Sequence, residues 1–452
     1  MKRWFPFAGL ALVLCLGRSF GQEPDAKEKP KVERGRQAVH GTPPLNHSAW
    51  SQTAYDTAWK VWDVKEKPDN YDAAFRARYG LHAAPYENGG LPMGLHVAPG
   101  PLGKGLGSDC LLCHAGSVAG KTYIGLGNAS LDFQALFDEL PTAAGISSRL
   151  PFRVSNVRGT VEATAVVSFL LEFRKPDLGL RIPTNLKVKD DLIEDVPAWW
   201  LLKKKKTMYH NGAGHAQSVR TMMTFLLTPL NSGDYIKKLE PTFADIQAYL
   251  LSLDRPVYPF PIDRKVAADG KDLFNQHCAK CHGTYGPNGK YPSKVVPLDM
   301  IGTDRRLAEG VSSEMAEHYL KSWFAQEKGP DGKPFPVQTI RGYQAPPLDG
   351  VWATAPYFHN GSVPTVYHVL NSKARPKLFT RSYGTAEEDY DTQKLGLKIT
   401  VLEQMPDAKP SALERRKIYD TTLPGRGNSG HTFGDILTEA ERRAVIEYLK
   451  SL

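Results

Sequence analysis

Two five-residue runs, Cys110-Leu111-Leu112-Cys113-His114 and Cys278-Ala279-Lys280-Cys281-His282, constrain this chain more than any other feature. In each, two thiols three positions apart are followed at once by an imidazole. That spacing lets both thiols add to the vinyl groups of one porphyrin while the next residue offers its iron a ligand. The competing readings are a redox-active dithiol and half of a zinc site. Zinc takes four ligands and usually draws two Cys-x-x-Cys pairs from within roughly 15 to 20 residues of each other. Here a whole small domain's length of chain separates the pairs. The expectation is therefore two covalently bound haem c groups, held through Cys110, Cys113, Cys278 and Cys281, with His114 and His282 as proximal ligands to the metal.

The N-terminus fits an exported protein. Lys2 and Arg3 form a basic start, Phe5 to Leu16 is apolar, and Ser19-Phe20-Gly21 offers small residues for cleavage before Gln22. Residues 1–21 read as a signal peptide, too short in its apolar run to span a bilayer, and the mature chain is expected to have no transmembrane span. The expected location is periplasmic or secreted. A bulky leucine precedes Cys15, so this cysteine is assigned to the leader rather than to a lipid anchor. Of the five cysteines, the remaining four all lie in the two runs. With no thiol left for a disulfide, stability has to come from the core and the cofactors.

The formal charge is +9 at pH 7, and Lys2, Arg3 and Arg18 of the leader contribute three of these charges. Lys203 to Lys206 is the densest basic run; it reads as a solvated face more readily than as a docking patch for an acidic partner. Nothing resembles a nucleic-acid module, and no nucleic-acid partner is expected. The expected partners are a redox protein or a small-molecule oxidant.

A length of 452 residues suggests about two to three domains. Residues 22–45, rich in Lys, Glu and Pro, read as a flexible exported tail. Gly89 to Gly107 reads as a loop leading to the first run. Helices are expected over Leu131 to Leu140, Val161 to Phe173, Gln217 to Leu227 and Thr242 to Leu253, the last with Thr242 and Asp245 as a capping signature. The chain closes on a similar helix, opened by Thr438 and Glu441; Tyr249-Leu250-Leu251-Ser252-Leu253 is echoed by Tyr448-Leu449-Lys450-Ser451-Leu452. This internal repeat, with three prolines between Pro256 and Pro261, divides the chain. The expected fold is mainly α, as two cytochrome c-like haem domains with long loop insertions and little β. Residues 46–255 form the N-terminal haem domain, 256–264 the linker and 265–452 the C-terminal haem domain.

A haem with protein ligands on both faces shuttles electrons, and one with a free face can bind oxygen or peroxide. For the second haem the candidate sixth ligands are Met300, Met315, Met405, His318, His359, His368 and His431. His359 stands out, in the turn-forming frame Ala355-Pro356-Tyr357-Phe358-His359-Asn360-Gly361-Ser362. For the first, His210, His215, Met208, Met222 and Met223 are near in sequence and none is compelling, so an open face is expected there. Trp199 and Trp200 are candidates to wall a pocket or relay electrons.

The two runs, the stretch from Trp352 to Thr365, and Gly427-Asn428-Ser429-Gly430-His431 resemble the bacterial di-haem cytochrome c peroxidase superfamily, and within it the rubber-oxygenase-like branch. Trp199-Trp200 through Tyr209-His210-Asn211-Gly212, and Leu131-Asp132-Phe133, resemble the same branch. The resemblance extends from about Tyr79 onward. It implies that the first haem binds dioxygen or peroxide while the second relays electrons, and that His359 is the second haem's distal ligand. Peroxidases of this superfamily often carry a methionine ligand fourteen positions after the motif histidine; that position is Lys373 here, which favours a bis-histidine second haem. The expected function is that of an exported di-haem c-type cytochrome and haem-dependent oxidoreductase, peroxidase- or dioxygenase-like. The alternative is a non-catalytic periplasmic electron-transfer cytochrome.

Overall fold

Where two long helices cross at close range the residue at the crossing has to be small, and this chain places a glycine at two such crossings. The computed structural model describes residues 28–100, 103–146, 150–183, 189–336, 340–406 and 410–452; the expected leader, with Cys15, lies outside them. Helix α1 (Lys29–Val39) packs across α2 (Glu240–Ser252), and α3 (Arg264–His277) packs across α4 (Glu439–Lys450). A Cβ on Gly35 would stand 2.0 Å from the Asp245 carbonyl oxygen, and one on Gly270 would stand 1.9 Å from that of Ala444. Each half of the chain thus opens and closes on a helix pair locked by backbone contact.

The first of these pairs corrects the expectation of a flexible tail over 22–45. Within this segment Lys29–Val39 is helical, and Ala38 and Val39 are buried with Phe243, Ile246 and Tyr249. Arg34 forks onto the Asp245 carboxylate, with Nε donating at 2.7 Å and Nη2 at 2.8 Å. Small residues make this helix look like a linker in sequence, yet small residues are what a close crossing needs. Asp245 is accordingly an ion-pair partner and not a cap; α2 starts at Glu240 with a proline in its first turn. The closing helix starts as the sequence suggests, and α3 has a cap of its own. Asp263 accepts from the amides of Lys265 and Val266, and Thr438 and Glu441 form a reciprocal capping box.

The fold is also less purely helical than expected. The described residues combine helices with six small antiparallel sheets of two or three strands, none closed into a barrel. The glycine-rich stretch before the first run is not a loop: Leu95–Gly100 pairs with Gly103–Ser108, which pairs in turn with Trp50–Ser51. Glycine there suits close strand approach, since a Cβ on Gly105 would meet the Trp50 carbonyl at 2.4 Å. No described helix is long and apolar enough to cross a membrane.

Residues 253–263 carry neither helix nor strand, but the core does not stop there. One apolar cluster takes Val118, Leu126, Trp200 and Leu201 from before this stretch and Phe274, Trp352, Val445 and Leu449 from after it. Trp200 Nε1 donates to the Asp349 carbonyl at 2.8 Å, and Trp352 Nε1 to that of Pro256 at 3.1 Å. A second bridge is the extended segment 192–199. Glu194 and Val161 exchange backbone hydrogen bonds, the Glu194 carboxyl accepts from the Thr164 amide, and the buried Glu162 carboxyl accepts from Leu192 N and Asn156 Nδ2. Burial pushes Glu162 up to about 7 against an ordinary 4.5, with Asn156 pulling the other way.

Two outcomes follow from this packing. Gly35→Ala and Gly270→Ala are each expected to lower the unfolding free energy by about 1–3 kcal/mol, read by denaturant titration, because a backbone carbonyl cannot move aside as a flexible side chain can. For Glu162 the native state binds its proton more tightly than the unfolded chain does, so its contribution to stability falls as pH rises from about 4.5 through 7. Glu162→Gln should flatten that decline in a series of melting temperatures across the same window.

Candidate metal centres

Each Cys-x-x-Cys-His run ends in a single helical turn, Leu111–His114 and Ala279–His282. In both, the histidine amide returns to the carbonyl of the first cysteine, at 2.9 Å for His114 to Cys110 and 3.0 Å for His282 to Cys278. One turn brings positions three and four apart onto a common face, so two thiols and an imidazole project together. The four cysteines are free and half-buried. Burial pushes Cys110 and Cys113 up to about 12 and Cys278 up to about 11. Among the described residues no group of three or more His, Cys, Asp or Glu is placed to hold a metal ion by itself.

His282 is set up as a ligand. Its Nδ1 donates to the Pro346 carbonyl at 2.8 Å. A carbonyl can only accept, so the proton sits on Nδ1 and the Nε2 lone pair is free. Burial lowers its pKa, which keeps the ring neutral. The imidazole opposite is that of His431, with ring centroids 6.2 Å apart and planes inclined by 60°. Two imidazoles that ligate one iron from opposite faces, at metal–nitrogen distances of about 2 Å, have centroids about 6 Å apart, so this pair fits a bis-histidine haem. His431 is pushed down to about 4, by burial first and by the neighbouring His282 second, and its buried Nδ1 has no hydrogen-bond partner.

His359, the expected distal ligand, sits in other surroundings. Its ring stacks on Tyr343 at 3.8 Å and 10° and lies 6.5 Å from that of His210. Its buried Nε2 has no partner, and its carbonyl accepts from the Asp195 amide at 2.7 Å. The motif turn does reach the second centre, but through its neighbour: the Phe358 ring is 5.9 Å from that of His431. Of the other candidates, His368 Nδ1 is bonded to Thr365 Oγ1 and His318 Nε2 to the Leu171 carbonyl. Met300 and Met405 are exposed, and Met315 packs against the α1–α2 core.

The first centre differs. The His114 ring lies 4.7 Å from Trp199 at 23°. Burial pushes this histidine down to about 4, with the Pro197 carbonyl acting in the opposite direction. Among the described residues no imidazole faces His114 as His431 faces His282. His210 Nε2 is engaged by the Asp195 carbonyl at 2.7 Å, His215 stacks on Phe335, and Met208 and Met223 are buried in the core, with Met222 packed against it. Segment 195–199 therefore touches the first centre, through Trp199 against His114, and the motif turn, through the Asp195–His359 hydrogen bond. The carboxyl groups of Glu194 and Asp195 are both raised by burial.

The sequence names His431 among several candidates but gives no sign of Pro346 as the partner of His282. The available signal was the frame Gly430-His431-Thr432-Phe433-Gly434, a histidine between glycines.

Comparison with known proteins bears on this same region. Residues 342–380 match the family model described as RoxA-like, cytochrome c-like; the matched stretch contains Pro346, His359 and Arg375. The chain is 28% identical over 296 residues to the uncharacterized protein y4iM of Sinorhizobium fredii (strain NBRC 101917 / NGR234), covering 57% of this chain and 64% of that protein. It is 27% identical over 253 residues to the uncharacterized protein y4iJ of the same organism, covering 42% of this chain and 39% of that protein. In both cases the match spans less than two thirds of the relative's own length. A cytochrome c-like element is thus part of this chain, and such an element implies covalently bound haem c.

Proposed function

We propose that this protein is an exported di-haem c-type cytochrome that works as a haem-dependent oxidoreductase, taking peroxide or dioxygen at the first haem and passing electrons through the second. The observation that carries the reading is the asymmetry between the centres: among the described residues His282 faces a second imidazole, and His114 faces none. Cys110, Cys113 and His114 would hold one haem, and Cys278, Cys281, His282 and His431 the other. Bound there, haem supplies a redox-active iron that exchanges electrons when the protein fills both axial positions and binds oxygen-derived molecules when one stays free.

The chain's own contribution is to fix these ligands and keep them neutral. Pro346 holds the proton of His282 away from the lone pair, and burial keeps His114, His282 and His431 uncharged. Trp199 presents an indole against His114, and segment 195–199 leads from there to the motif turn, whose Phe358 lies against His431. That route also favours the second reading, a non-catalytic electron-transfer cytochrome. Two helix pairs of the same build, each associated with one Cys-x-x-Cys-His run, support two cytochrome-like units in one chain. Export rests on the N-terminal sequence, and the partner would be a redox protein or a small-molecule oxidant.

Electron paramagnetic resonance of the as-isolated ferric holoprotein separates the readings. One high-spin and one low-spin haem, with cyanide or peroxide altering only the former, is the outcome expected of the oxidoreductase. Two low-spin haems indifferent to both reagents would leave the electron-transfer reading. His431→Ala should convert the low-spin signal to high-spin, and His359→Ala should leave it low-spin.

A further inference from the structure

The loop that carries His431 is held in a conformation it would not choose alone. His431 itself has φ +44°, and Gly430 before it has φ +72°. A Cβ on Gly430 would stand 2.2 Å from the Gly302 carbonyl carbon. Such a backbone persists only where surrounding groups over-determine it. The His431 amide is fixed to the Ile301 carbonyl at 2.7 Å, but the carbonyls of this loop converge on one side chain.

That side chain is Arg375. Its Nη1 donates to the carbonyls of Asn428 and Gly430, both at 2.7 Å. Its Nη2 donates to that of His431 at 3.1 Å and that of Val369 at 3.2 Å, and its Nε to that of His368 at 2.8 Å. A guanidinium has five N–H donors in a rigid plane, and here all five end on backbone carbonyls. The same plane lies 4.9 Å over the Phe358 ring, and Phe358 is the residue of the motif turn that lies against His431. The nearby carboxylate of Asp435 is engaged instead by the Ser372 amide and hydroxyl.

We propose that Arg375 is the positioning residue of the second centre, fixing the 428–431 loop so that the His431 imidazole stands opposite His282. The proposal rests on the reading of His431 as a ligand. Its physical content is that a planar cation with five directed donors ties three separate segments, the motif turn, residues 368–369 and the ligand loop, into one piece. Lysine has three donors on a flexible stem and cannot reproduce that fan. Arg442 provides the contrast. It is also buried and also donates to carbonyls, those of Leu370 and Leu437, and to Glu439, but these bonds do not reach the ligand loop.

The test compares holoprotein of the wild type, His431→Ala, Arg375→Gln, Arg375→Lys and Arg442→Gln, each checked by mass for retained haem. In Arg375→Gln a fraction of the low-spin signal that His431→Ala abolishes should turn high-spin, and added imidazole should bind at least tenfold more tightly than to wild type. Arg375→Lys should fall between the two. Arg442→Gln should lower the melting temperature without changing imidazole affinity. Should Arg375→Gln fail to accumulate, the lysine variant decides by the same two readouts. Wild-type spectra and imidazole affinity in the Arg375 variants, with His431→Ala altered as expected, would overturn the proposal and leave His431 as the ligand. A wild-type low-spin signal that survives His431→Ala would bring down both.

Discussion

The hydrogen bond that His282 Nδ1 donates to the Pro346 carbonyl fixes which ring nitrogen carries the proton and leaves the Nε2 lone pair free for a metal. The carbonyl is fixed because of what precedes it. Gly342–Gln344 is paired with Val295–Pro297, and the Gln344 amide is spent on the His210 carbonyl. Tyr343 in the same strand carries the stack on His359. One short strand thereby sets the tautomer of a candidate ligand and anchors the motif turn. This segment is also where the family match begins.

The two halves repeat a construction and then diverge. Both close on a helix pair with glycine at the crossing, and both project two thiols and an imidazole from one helical turn. In the second half α3 runs directly into the Cys-x-x-Cys-His turn, whereas in the first some seventy residues, including a three-stranded sheet, separate α1 from it. Among the described residues those insertions place no second imidazole opposite His114. The shared core, with Trp200 and Trp352 each hydrogen-bonded across the linker region, makes the halves mechanically one body around segment 195–199. The difference in surroundings between His114 and His282 therefore lies in the loops, on helix pairs of the same build.

How much of this was legible in the sequence varies with the distance over which the determining interactions act. The Cys-x-x-Cys-His turns, the closing helix with its capping box and the start of α3 are fixed by residues three to five apart, and their sequence signatures describe them well. The α1 helix was misread because its partner lies more than two hundred residues away; Gly35 and Ala38 look like linker residues until Asp245 and Ile246 are placed against them. His359 was misread for a related reason. An aromatic pair and a turn frame show that a histidine is rigidly held, but not which way it faces. The backbone around it sends Phe358, at φ +67°, toward His431 and leaves His359 against Tyr343. The ligand loop gave a weaker local signal because what defines it, the donors of Arg375, comes from more than fifty residues earlier.

The motif around His359 is specific because it satisfies polar groups from several directions at once. Trp352 reaches the Pro256 carbonyl in the linker region, and Tyr357 donates to the carbonyls of Val351 and Leu395. Asn360 donates to the carbonyls of Gly425 and Gly427, and Ser362 also donates to that of Gly427. Tyr419 donates to the Asn360 carbonyl, and the Asp195 amide to that of His359. Each bond replaces a water that a buried carbonyl or amide would otherwise need, so loss of one leaves the full desolvation cost of its partner. Gly425 and Gly427 lead into the loop that ends at His431, and Asp195 leads into the segment that ends at Trp199 beside His114. The stretch easiest to take for a ligand site is thus better understood as the joint between two centres, where side chains are chosen for the backbone groups they must meet from both sides.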